Sequence, residues 1–204
     1  MRVPAIGILS ALLALAFSAR AEQFARKECL DCHAKFADKL HDLKNLHAPV
    51  KSQKCEECHL RHGTVPKLLL KESGNALCLT CHKKESLGLE KKVVHPVLKT
   101  GKCTDCHDAH GSNTKFLLKR EGKLECYSCH KPEPFEKKFV HKVVADGGCM
   151  ACHTAHASDQ KGLLIAAEGP LCLKCHAAEA APFQKAHGGL PVASKACTTC
   201  HDPL

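Results

Sequence analysis

Tryptophan is absent from this 204-residue chain, tyrosine occurs once and phenylalanine seven times. A conventional core of this size carries more aromatic bulk, so side chains alone are not expected to fill the interior. Methionine is scarce too: Met1 and Met150 are the only two. No apolar run reaches the roughly 20 residues a membrane-spanning helix needs; the longest, Ala5 to Phe17, is too short. Arginine-rich stripes and stacking aromatics are also missing. The formal charge of +9 therefore points away from nucleic acid as a partner, its lysines being scattered along the chain. What the chain has in excess is cysteine and histidine, sixteen of each.

The start reads as a targeting segment. Arg2 supplies the positive end, Ala5 to Phe17 the apolar run, and Ala19-Arg20-Ala21 a small-x-small cleavage site. A secretory signal over residues 1–21 is expected, with the mature chain beginning at Glu22. No cysteine follows directly, which argues against a lipoprotein anchor. The mature protein is expected to be exported, without a membrane span, and to sit in the periplasm or at the outer membrane or cell exterior. Without Arg2 and Arg20 the formal charge becomes +7.

Alignment on the cysteines reveals a repeat. One unit (47–94) opens at His47 and holds Cys55-Glu-Glu-Cys58-His59, then His62, then Cys78-Leu-Thr-Cys81-His82. The next (95–140) holds His95, Cys103-Thr-Asp-Cys106-His107, His110 and Cys126-Tyr-Ser-Cys129-His130. The third (141–186) holds His141, Cys149-Met-Ala-Cys152-His153, His156 and Cys172-Leu-Lys-Cys175-His176. Half-units flank them. Residues 22–46 carry Cys29-Leu-Asp-Cys32-His33, and residues 187–204 carry His187 and Cys197-Thr-Thr-Cys200-His201. Eight motifs consume all sixteen cysteines. Between paired motifs, segments such as "KFLLKREGKLE" predict a short strand or loop ahead of a helical turn. Phe36, Leu40, Leu43 and His47 predict a helix over 34–47.

Cys-x-x-Cys-His is the pattern of covalent haem c attachment. Two thiols one helical turn apart add to the two vinyl groups of one haem, and the adjacent histidine lies under the iron. Zinc ribbons and disulfide scaffolds use paired cysteines, but neither needs a histidine after every pair. Eight covalent haems are expected. Their proximal ligands are His33, His59, His82, His107, His130, His153, His176 and His201. Eight histidines remain as candidate distal ligands: His41, His47, His62, His95, His110, His141, His156 and His187. Met150 lies inside a motif, so bis-histidine ligation at all eight irons is the natural count. His62, His110 and His156 stand one turn past a proximal histidine. They are expected to reach a different haem, that of the other motif in the same unit. His41 has no counterpart in the repeats.

The sequence resembles the multihaem c-type cytochromes with paired CXXCH units, in the style of periplasmic cytochromes of porin–cytochrome conduits. The resemblance covers residues 29–201. It implies a mostly irregular fold with short α-helices, repeated dihaem units and closely packed haems as the core. It also implies electron transfer as the function, with other redox proteins and an outer-membrane porin as partners. Histidine does not raise the iron potential as methionine does, so low potentials are expected. Full ligation leaves no iron open to substrate, so an electron carrier rather than an enzyme is expected. The alternatives are a subunit of an extracellular filament, assembled head to tail, and a multihaem reductase with one open iron. The terminal motifs are expected to carry the entry and exit haems.

Overall fold

The computed structural model describes residues 26–65, 67–192 and 195–204. The leader expected over residues 1–21 lies outside them. The chain is mostly irregular, with short helices and four two-residue strands among the described residues. In chain order the helices and strands are α1 (Cys29–Cys32), α2 (Ala34–His41), β1 (Asn45–Leu46), α3 (Ala48–Lys51), α4 (Asn75–Leu79), β2 (Val93–Val94), α5 (Val97–Thr100), β3 (Gly111–Ser112), α6 (Lys123–Cys126), α7 (Lys142–Ala145), β4 (Ala157–Ser158), α8 (Glu168–Cys172) and α9 (Ala181–Ala186). No helix among the described residues is long and apolar enough to cross a membrane.

The two motifs of a unit are built differently. The first starts in a 3-10 turn: Cys55–Glu57, Cys103–Asp105 and Cys149–Ala151, with Cys197–Thr199 alike. The second starts near the end of α4, α6 or α8. Gly74 and Gly122 turn the chain into α4 and α6 at φ 56° and 55°, a left-handed conformation that glycine adopts without a Cβ clash. The apolar triplets fold back on the first motif. Asp108 N donates to Leu117 O at 2.8 Å and Lys119 N to Cys106 O at 2.9 Å. Thr154–Leu163 and Ile165–Cys152 repeat this return one unit later.

The units interlock through antiparallel strand pairs. β1 pairs with β3, Leu46 opposite Gly111, and β2 pairs with β4, Val94 opposite Ala157. The approach of the leading histidine of one unit is thus bound to the segment after the third histidine of the next. His47 N donates to His110 O at 2.9 Å and His95 N to His156 O at 2.8 Å.

One expectation changes here. The helix over 34–47 stops at His41, because residues 45–46 are drawn into the pairing with 111–112. The interior is as sparse in side chains as the composition implies. Among the described residues Ala157 is the one buried apolar side chain, while Phe116 and Phe139 are 82% and 81% exposed.

Candidate functional site

All eight motifs share one local geometry. Each motif histidine donates its backbone N–H to the carbonyl of its first cysteine, at 2.9 to 3.0 Å. That closes one helical turn and sets both thiols and the imidazole at the same relative positions. None of the sixteen cysteines is in a disulfide. Zinc would need four donors converging on a point; among the described residues no three His, Cys, Asp or Glu side chains do so.

The histidine rings meet in pairs. Centroids are 5.9 Å apart for His33–His62, His47–His82 and His141–His176, 6.0 Å for His59–His110 and His187–His201, and 6.1 Å for His95–His130 and His107–His156. The interplanar angles run from 9° to 68°. Ring packing fixes angle along with distance; here the distance is constant and the angle free. Two nitrogens directed at one shared point produce that pattern. Two metal–nitrogen bonds of about 2 Å each, plus a ring radius on either side, sum to about 6 Å. The spacing fits an iron between the rings.

The tautomers fit as well. His107 Nδ1 donates to Phe116 O and His153 Nδ1 to Gly162 O, both at 2.8 Å. His47 Nδ1 donates to Ala109 O at 3.0 Å and His187 Nδ1 to Phe183 O at 2.8 Å. A carbonyl only accepts, so Nδ1 carries the proton and Nε2 keeps its lone pair for a metal. Phe116 reaches its carbonyl position at φ 57°, where Gly162 stands one unit later at φ 68°. Burial pushes the pKa of His59, His95, His110 and His156 down, favouring neutral imidazole, the ligating form. Nδ1 of His62 and Nδ1 of His95 are buried without a hydrogen-bond partner.

The pairing follows a rule that spacing alone does not reveal. The leading histidine of each unit (His47, His95, His141) faces the second motif of its own unit. The third histidine faces the first motif of the preceding unit: His62 faces His33, His110 faces His59 and His156 faces His107. The expectation of a partner within the same unit is thus corrected; strand pairing carries His110 and His156 back one unit. His187 faces His201 of its own half-unit. It precedes its cysteine by ten residues rather than eight, a difference visible in the sequence. Among the described residues no eighth histidine ring pair is seen. His41 closes α2 with its side chain 91% exposed, 3.7 Å from Asp42, and no ring pair joins it to His153.

Neighbouring motifs also bring their thiols close enough to influence one another. Burial first, and then the neighbouring thiol, pushes up the pKa of Cys55 beside Cys29, Cys78 beside Cys103, and Cys126 beside Cys149. Cys172 beside Cys197 behaves alike. Within units, Cys58 lies near Cys81, and Cys106 near Cys129. The motifs therefore follow one another in space in chain order.

A family model described as a doubled CXXCH motif matches residues 47–87, 95–135 and 141–181, more than half of the chain. The chain belongs to the doubled CXXCH family. The three matches coincide with the three units, each from its leading histidine to just past its second motif. No curated protein matches the chain. A doubled CXXCH protein is a multihaem c-type cytochrome: its motif cysteines bind haem c covalently, and its chemistry is electron transfer.

Proposed function

We propose that this doubled CXXCH protein carries eight haems in one string and passes electrons along it in the periplasm, or as part of a conduit through the outer membrane. The observation that carries the reading is the set of seven histidine pairs, all 5.9 to 6.1 Å apart, each joining a motif histidine to another histidine. Haem supplies the one-electron chemistry when bound. Sixteen cysteines would hold it. Seven of the motif irons would be closed by His33–His62, His59–His110, His82–His47, His107–His156, His130–His95, His176–His141 and His201–His187. Closed irons pass electrons and exclude substrate.

The thiol contacts support transfer in chain order. Motif 1 abuts motif 2 through Cys29 and Cys55, and motif 7 abuts motif 8 through Cys172 and Cys197. The outer motifs, Cys29–His33 and Cys197–His201, are the proposed points of exchange with other redox proteins, an outer-membrane porin complex or a second copy head to tail. The sparse polypeptide core supports the view that stacked haems form the interior.

Intact mass of the exported holoprotein tests the reading. It should exceed the polypeptide mass by eight haems, about 4.9 kDa. Magnetic circular dichroism should show low-spin bis-histidine iron as the dominant species and no methionine ligation. Fewer haems, or zinc in their place, defeats the proposal.

A further inference from the structure

We infer that the haem carried by the sixth motif, Cys149-Met-Ala-Cys152-His153, keeps an exchangeable sixth position that binds small uncharged diatomic ligands. The inference rests on the haem-string reading above and departs from it at this one iron. All sixteen histidines are among the described residues, and seven pairs use fourteen of them. His153 and His41 are left.

The proximal side of this site is built like that of its counterpart one unit earlier. His153 Nδ1 is held by Gly162 O as His107 Nδ1 is held by Phe116 O, both at 2.8 Å. His153 bridges Leu164 as His107 bridges Leu118. The difference lies on the opposite side. By the pairing rule, the first motif of a unit receives the third histidine of the following one, the residue three past that unit's motif histidine. For His153 that position is Leu204, three past His201.

Leu204 is held in the same turn as the ligand it replaces. Its backbone N–H donates to Asp202 Oδ1 at 3.1 Å, as His110 N donates to Asp108 Oδ1 at 2.9 Å. Asp202 is anchored in turn by Lys137. The leucine side chain offers no lone pair to a metal. An apolar side chain at that position would favour an uncharged ligand over an anion, because it gives an anion no hydrogen bond or counter-charge. A ferrous iron with one histidine and a free position takes up carbon monoxide; a bis-histidine iron resists it.

The test is a carbon monoxide titration of the reduced holoprotein, with the haem count taken by mass on the same sample. One carbon monoxide per eight haems is expected, with about one-eighth of the iron high-spin before addition. Leu204→His should abolish the uptake and convert that iron to low-spin, while His41→Ala should leave the uptake unchanged. No uptake by a protein with eight attached haems overturns this inference alone, whereas absence of attached haem overturns it together with the reading beneath it. Undiminished uptake in Leu204→His overturns the assignment to this motif. Uptake gained only in His41→Ala shows that His41 closes this iron and overturns it too.

Discussion

The ligand set divides into histidines whose partner is written beside them and histidines whose partner is not. Every motif histidine was legible from the sequence, because attachment chemistry demands it directly after the second cysteine. The partner of a third histidine was not. His110 stands three residues from His107, yet its ring faces His59 at 6.0 Å and packs edge-on against Phe36 at 4.9 Å. Nothing local encodes that choice; it comes from β1 and β3. Replacement of His110 by methionine gives a clean check. One haem of eight should acquire methionine ligation and a raised potential. Nuclear Overhauser contacts should place that haem on the thioethers of Cys55 and Cys58. Assignment of the change to the haem at Cys103 and Cys106 would sink the pairing.

Short elements here are set by their neighbours more than by their own pattern. The apolar spacing of Phe36, Leu40 and Leu43 predicted a helix to His47, but the strand pair at Asn45–Leu46 cuts it at His41. Two-residue strands carry no alternation to read, which is why β1 to β4 escaped prediction. Helix α4 shows how units are joined. Asn75 Nδ2 donates to Gly101 O at 3.0 Å, and its Oδ1 accepts from Cys103 N at 2.9 Å. One side chain at the start of α4 thus fixes the first motif of the following unit. At the far end Glu168 Oε1 accepts from Thr198 N at 2.6 Å and does the same for Cys197. Asn75→Leu strips both bonds and leaves two backbone groups unsatisfied. A loss of about 1–3 kcal/mol is expected, seen in calorimetry as a melting temperature lowered by about 2–10 °C. All eight haems should remain attached; loss of the Cys103 haem would mean that Asn75 is needed for attachment itself.

Across the whole molecule, charge and connectivity depend on what the motifs hold. The polypeptide has a sequence pI near 8.8. Each ferric haem adds about −1 from its propionates and iron–porphyrin centre, so the proposed eight would bring the +7 of residues 22–204 to about −1. Isoelectric focusing of the oxidised holoprotein should therefore give a band below pH 7, and a band above pH 8 would contradict eight haems. The backward reach of the third histidine has a different consequence, one of order in time. Synthesis delivers the chain from its N-terminus. On the proposed ligation, the site at His33 would wait for His62 to emerge, the site at His59 for His110, and the site at His107 for His156. Each unit is finished by its successor, so assembly advances like a zip whose last tooth is always still open. A chain cut after any unit would leave a fresh unfinished site at its new end, however well the remainder had folded.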